Sequence, residues 1–334
     1  MEDKDITQLG RRRFVSAGVA GAAMALSGAS LAKTHAPAES SASGPKVFLD
    51  YTQEELDKAY DQANYAPNRV LVIKRWGTNS EVARSRLGEP ERHAYGESEV
   101  EALDLFKTSN SSNGKAPIHI FLHGGAWRSG DAKTYAFIAE PFVARGAHCV
   151  IPDFTNVVES KGDLRPMADQ VRRAIAWVYK NAESFGGDPD KIYLSGHSSG
   201  GHLAGVAVAT DWEKDWGVPA DIIKGAVLVS GMFDLQPVRL SSRSSYVNID
   251  DEVEESLSSQ RHMQHINAKL LIVYGDQETP EFMRQSRDFA EAAKKAGKDV
   301  EVVVGRNYNH FEIIETLANP FGIAGYPALQ QMGI

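Results

Sequence analysis

Five residues constrain this chain more than any other stretch. Gly196-His197-Ser198-Ser199-Gly200 follows the apolar run Ile192-Tyr193-Leu194 and precedes the helix-compatible Gly201-His202-Leu203-Ala204-Gly205-Val206. A Gly-x-Ser-x-Gly set between a strand and a helix implies a turn so tight that side chains flanking the serine would clash. The glycines allow that turn, the serine hydroxyl is pushed out of the sheet top, and the following helix points its N-terminus at the same spot. Such a turn needs a strand to end in it and a helix to start from it, so the chain around it has to be a strand–helix repeat.

The rest of the pattern agrees. From Ile118 onward, short apolar runs at 118–122, 147–152, 191–195, 223–229, 270–274 and 300–304 are separated by helical patterns at 132–145, 164–182, 200–209, 280–296 and 311–318. In the second of these, Met167, Val171, Ala174, Ile175 and Val178 recur at helical spacing and are expected to face the sheet. Continuous apolar strands of this kind belong to a parallel sheet covered on both faces. Two alternating runs, 91–95 and 101–106, read as antiparallel edge strands, giving a mostly parallel sheet of about eight strands. Upstream, Thr52-Gln53-Glu54-Glu55 is a capping box that opens a helix, and a second short helix is expected over 80–87. The polar loop from Leu235 to Gln264 is expected to carry a short helix beside the pocket.

The chemistry-bearing segments fall just after strand ends, where ligands bind in open α/β sheets. Ser198 is a weak nucleophile unless a base takes its proton, and His310, within Asn309-His310-Phe311, is the candidate base. A histidine base needs an acid to set its tautomer. Asp276 and Glu278 compete for that role in the loop after the 270–274 strand, and spacing favours Glu278. Upstream, His123-Gly124-Gly125-Ala126-Trp127 is placed to supply oxyanion donors, so the backbone N–H groups of Gly124, Gly125 and Ser199 are the candidates. Ser, then acid, then His is the chain order of the α/β-hydrolase fold. Trp127, Phe282 and Phe311 are candidates for the substrate pocket, whereas His197 and His202 beside the turn are read as packing residues.

Composition bounds the partners. The formal net charge of −8 over 334 residues argues against nucleic acid or anionic membranes. The single cysteine, Cys149, excludes an intrachain disulfide and a thiolate metal site. His262 and His265 have metal-like spacing without a further ligand set, so neither metal nor cofactor is expected. The N-terminus reads separately. Arg11-Arg12-Arg13-Phe14 precedes a weakly apolar, Ala- and Gly-rich stretch, the pattern of a Tat-type export signal over residues 1–32. A Ser/Ala/Pro-rich linker at 33–46 and a single domain at 47–334 would follow. The expectation is a periplasmic or secreted protein, free of the membrane once the signal is cleaved, with self-association left open.

The combination of segments resembles the kynurenine formamidase (arylformamidase) family of esterase/lipase-like α/β-hydrolases. The similar stretches are His123 to Gly130, Gly196 to Leu203, Ser230 to Leu235, Glu278 to Ser286 and His310 to Glu315. The resemblance implies Ser198 as nucleophile, His310 as base and Glu278 as acid, at a position where the family usually has aspartate. The expected activity is hydrolysis of short-chain carboxylic esters or aryl amides through an acyl-enzyme. One alternative is an arylformamidase acting on N-formylkynurenine-like substrates, although an exported enzyme would rarely meet that cytosolic intermediate. The other is a catalytically inactive hydrolase fold used for binding.

Overall fold

A computed structural model describes residues 44–110 and 114–334. The export signal expected over 1–32 and the linker up to residue 43 lie outside the described residues. Lys46, placed at the end of the linker by the sequence, already opens a strand: β1 (Lys46–Phe48) folds back on β2 (Tyr51–Thr52). Helix α1 (Gln53–Ala59) starts at the capping box, with the Thr52 side chain accepting from the Glu55 N–H and the Glu55 carboxylate accepting from the Thr52 N–H.

The apolar runs form the centre of one sheet of eight strands. These are β3 (Glu91–Ala94), β4 (Ala102–Phe106), β5 (Ala116–Leu122), β6 (His148–Pro152), β7 (Gly187–His197), β8 (Ile223–Val229), β9 (Lys269–Gly275) and β10 (Val300–Gly305). Their order is β10-β9-β8-β7-β5-β6-β4-β3, parallel except for the β3–β4 and β4–β6 pairs. Alternate side chains of one strand feed opposite cores, as the two-residue strand period requires. Ile118, Ile120 and Leu122 join one buried cluster, and Phe121 joins the other.

Helices α4 (Arg165–Asn181), α5 (Ser199–Val208) and α9 (Pro280–Lys295) contribute to the first cluster. Helices α2 (Arg69–Leu87), α3 (Ala139–Ala144) and α10 (Gly325–Met332) contribute to the second. Short helices α6 (Trp212–Trp216), α7 (Gln236–Leu240) and α8 (Asp251–Leu257) lie in the connections. No helix of the described residues is long and apolar enough to cross a membrane.

Three helical boundaries differ from expectation. The helix expected over 80–87 begins at Arg69. Its buried positions, Val72, Trp76, Ser80 and Ala83, recur once per turn, but exposed Val70, Leu71, Ile73 and Val82 blur that stripe. The stretch 132–145 breaks into a 3₁₀ turn (Ala136–Ile138) followed by α3, and 311–318 holds only a 3₁₀ turn (Ile313–Thr316). Helix α10 was not expected at all. The loop 235–264 carries α7, α8 and, between them, the 3₁₀ turn Ser242–Ser245 that delivers Arg243 to the cavity described next.

Candidate active site

Strand β7 ends at His197 and α5 begins at Ser199, leaving Ser198 as the corner, at φ 58° and ψ −121°. A non-glycine residue is strained there, and the surroundings have to over-determine it. The flanking glycines make this possible. A Cβ on Gly196 would lie 2.1 Å from the Gly200 carbonyl oxygen, and one on Gly200 would lie 2.1 Å from the Leu122 oxygen. The corner closes only because both positions lack a side chain.

His310 follows β10, and its Nε2 lies 2.8 Å from Ser198 Oγ, which places the hydroxyl as donor to the ring. The His310 Nδ1–H donates to Glu278 Oε2 at 2.7 Å. Glu278 follows β9 and is buried with the other two residues. A carboxylate taken out of water is costly unless hydrogen-bonded, and this one is well supplied. Oε1 accepts from Ser230 Oγ at 2.6 Å and from the Gly275 N–H at 2.7 Å; Oε2 also accepts from Gln62 Nε2 at 3.3 Å. The competing acid, Asp276, is exposed and engaged elsewhere, its Oδ1 accepting from the Asn307 N–H at 2.7 Å and so tying the loop after β9 to the loop after β10. The structure therefore brings Ser198, His310 and Glu278 together and leaves Asp276 outside.

The histidine loop is pinned from both sides. Asn309 Oδ1 accepts from the Phe311 and Glu312 N–H groups, while its Nδ2 donates to Asn68. His197 Nε2–H donates to the His310 carbonyl at 2.8 Å. Burial, with His310 adjacent, pushes the His197 pKa well down, so its ring stays neutral and holds the loop by a hydrogen bond.

The oxyanion candidates lie beside the serine. Gly124 packs against the corner, where a Cβ would lie 2.9 Å from the His197 oxygen. Gly125, Ala126 and Trp127 have φ values of 128°, 55° and 61°, a run of left-handed residues that turns the loop over the cavity. Among the described residues, no hydrogen bond uses the N–H of Gly125 or of Ser199, the first residue of α5. Both groups remain free to donate to a ligand.

A cavity of about 390 Å³ opens onto Ser198 and His310, within the size range of small-molecule sites. Phe311 is on its wall, but Trp127 and Phe282 are not, which corrects their expected place in the pocket. Trp127 is buried and its indole N–H donates to His202 Nδ1 at 3.2 Å. Phe282 is fully buried, edge-on to the His310 ring at 4.7 Å and to Tyr60. Both support the site from behind. The positions that do line the cavity include Gln62, Trp76, Tyr135, Arg128 and Arg243. The sequence signal for Trp76 was present in the once-per-turn stripe of α2; for Arg243, in a polar loop, there was none. A larger concavity of about 560 Å³ between β9, β10 and α10 holds neither serine nor histidine. His262 donates to the Glu255 carbonyl and His265 approaches Asp211 at 3.7 Å, so the pair with metal-like spacing is engaged separately.

The comparisons with known proteins address the family and the fold. The BD-FAE family model matches residues 103–293, more than half of the chain. Kynurenine formamidase of Danio rerio is 32% identical over 286 residues, covering 80% of this chain and 92% of its own. Esterase LipC of Mycobacterium tuberculosis is 26% identical over 62% of this chain and 55% of its own. The structure of a protein assigned as a thioesterase from Silicibacter sp. tm1040 superposes with a TM-score of 0.69 at 25% identity, covering 80% of this chain and 96% of that one. The chain therefore belongs to the BD-FAE family, as a kynurenine formamidase-like member of the esterase α/β-hydrolases.

Proposed function

We propose that this hydrolase cleaves short-chain carboxylic esters or aryl amides through an acyl-enzyme formed on Ser198. The observation that carries this reading is the hydrogen-bonded relay Ser198 Oγ–His310–Glu278 at the mouth of a cavity. In the first half-reaction Ser198 Oγ attacks the carbonyl carbon while its proton passes to His310 Nε2. Glu278 stabilises the imidazolium, and the N–H groups of Gly125 and Ser199, with Gly124, receive the developing oxyanion. His310 then gives that proton to the departing oxygen or nitrogen as the carbon–heteroatom bond breaks. In the second half, water loses a proton to His310 and attacks the acyl carbon, and collapse returns the proton to Ser198.

A cavity of about 390 Å³ walled by Trp76, Tyr135 and Phe311 suits a planar leaving group and a short acyl group. The decisive measurement is kcat/KM for acetyl, butyryl and dodecanoyl aryl esters beside N-formylkynurenine. The proposal expects acetyl and butyryl esters to lead, and preference for dodecanoyl refutes the short-acyl assignment. The Danio rerio relative favours a second reading, arylformamidase activity. Turnover of N-formylkynurenine exceeding every ester by about tenfold, roughly 1.4 kcal/mol in the barrier, makes that reading the first.

Export belongs to the same proposal. Arg11 and Arg12 before Phe14 are the Tat-type element. Replacing both by lysine should hold the precursor in the cytoplasm, and a mature N-terminus near Lys33 should be found in the wild type. An active cytoplasmic protein retaining residues 1–32 overturns it.

A further inference from the structure

Charge is unevenly distributed around the catalytic cavity. The chain as a whole carries −8, yet the cavity is lined by two arginines, Arg128 and Arg243, and one carboxylate, Asp131. Neither arginine lies within salt-bridge distance of an acid among the described residues, whereas Arg239 and Arg261 in the same connection each contact two or more carboxylates. Asp131 is already engaged, its Oδ1 accepting from the Thr134 N–H at 2.6 Å.

Arg243 is half-buried and held in place. Its guanidinium carbon lies 5.7–5.8 Å from the rings of Tyr60, Trp127 and Phe282. Nη2 donates to the Tyr60 carbonyl at 3.0 Å and Nη1 to the Tyr246 hydroxyl at 2.8 Å, while the Nε–H is buried with no acceptor. Arg128, exposed to solvent, lies over the same tyrosine, its guanidinium carbon 4.2 Å from the Tyr246 ring centroid. The hydrogen-bonded Arg243 and the exposed Arg128 thus both meet one tyrosine at the rim of the site. A guanidinium withdrawn from water without an anion leaves an uncompensated charge, and its planar donor fork matches a carboxylate better than any neutral group.

We propose that Arg243, assisted by Arg128, forms an anion subsite, and that the preferred substrate is an ester or amide bearing a carboxylate away from the scissile bond. The inference rests on the acyl-enzyme reading of Ser198 and specifies the substrate class for that site. A carboxylate held there adds binding energy remote from the reacting carbonyl and fixes which end of the substrate enters the cavity.

The test compares 4-acetoxybenzoate and its 2- and 3-isomers with the corresponding neutral acetoxybenzamides. Wild-type protein should prefer at least one carboxylate over its neutral isostere by about tenfold or more in kcat/KM, and the preference should shrink with added salt. Arg243→Met, which keeps an apolar stem over Trp127 and Phe282, should bring that ratio to near one, and Arg243→Lys should restore part of it. Arg128→Met should reduce it by a smaller factor. A wild-type ratio near one, or a ratio that survives Arg243→Met and the double replacement, overturns the anion subsite while leaving ester hydrolysis in place. Calorimetric binding of benzoate against benzamide to Ser198→Ala reads the subsite without turnover. Tighter binding of benzoate, lost on adding Arg243→Met, supports the subsite even if no ester is cleaved; equal binding overturns it.

Discussion

Two Ser–His pairs sit in the same strand region of this molecule, and only one of them opens onto a cavity and carries an acid. Ser198 Oγ and His310 Nε2 are 2.8 Å apart; so are Ser195 Oγ and His119 Nε2. The second pair lies inside the sheet, with His119 stacked on Phe142 at 3.6 Å and Cys149 Sγ 3.8 Å from its Nδ1. Ser195 and Cys149 are fully buried, and burial raises the Cys149 thiol far above its ordinary range and pushes His119 down to about 3. His119 therefore stays a neutral imidazole that satisfies two neighbours. His310 instead has a carboxylate on Nδ1, a strained serine on Nε2 and a cavity in front of both. A Ser–His hydrogen bond is thus not a site in itself; the acid, the access and the strained corner make it one.

That comparison can be broken by exchanging which pair is disabled. Ser198→Ala should lower kcat by on the order of 10⁴ to 10⁶, with a fluorophosphonate no longer labelling the protein. Ser195→Ala should leave labelling intact and instead cost about 1–2 kcal/mol of stability in denaturant unfolding, because His119 loses its partner. If Ser195→Ala abolishes labelling and Ser198→Ala does not, the two roles have been assigned the wrong way round.

The acid comes next in size. Glu278→Gln should cost about 10² to 10⁴ in kcat with the fold retained, since His310 loses the charge that sets its tautomer, whereas Asp276→Asn should cost less than about threefold. The reverse ranking moves the acid to Asp276. Ser230 is a smaller lever. It sits at φ 50°, a strained position that aims its hydroxyl at Glu278. Ser230→Ala should lower kcat by about three- to tenfold, roughly 0.7–1.4 kcal/mol or the value of one ordinary hydrogen bond, because Gly275 and Gln62 still hold the carboxylate, with KM little changed. An unaltered kcat shows that Gly275 and Gln62 suffice to hold the carboxylate.

The smallest effect is on pH. His119 and His202 are held neutral by burial, with pKa values pushed down to about 3 and about 4, against 6.5 in an unfolded chain. Between those values and 6.5 the unfolded state binds more protons, so stability is complete above pH 6.5 and falls as the pH drops toward 4 and 3. The Ser198 pair contributes through activity and the Ser195 pair through this acid lability. His119→Gln should therefore reduce the difference in unfolding free energy between pH 7 and pH 5, and an unchanged difference assigns the lability elsewhere.

Much of this site was legible because its chemistry is tied to local backbone geometry. Gly196 and Gly200 are present because any Cβ there would collide with a carbonyl, a requirement imposed within a few residues, so Ser198 could be picked out from its neighbours alone. His310 and the acidic loop followed from chain order at strand ends. Of the three aromatic residues expected at the pocket, only Phe311 lines the cavity. Trp127 and Phe282 adjoin catalytic residues in sequence, but the left-handed turn at 125–127 and the inward face of α9 bury both side chains. Nothing in a linear pattern reports that rotation.

The sequence by itself determined the strand–helix repeat, the position of the serine corner and the order of serine, acid and histidine, because each rests on periodicity or on steric limits that act over one turn. Spacing already favoured Glu278 over Asp276; tertiary structure alone decided that Gln62 and Ser230 hold that acid and that Trp76, Tyr135 and Arg243 line the cavity. Those choices depend on contacts across hundreds of residues. Gln62 meets Glu278 from 216 positions away and Arg243 meets Tyr60 from 183, and such contacts form only when the packed sheet brings the loops together.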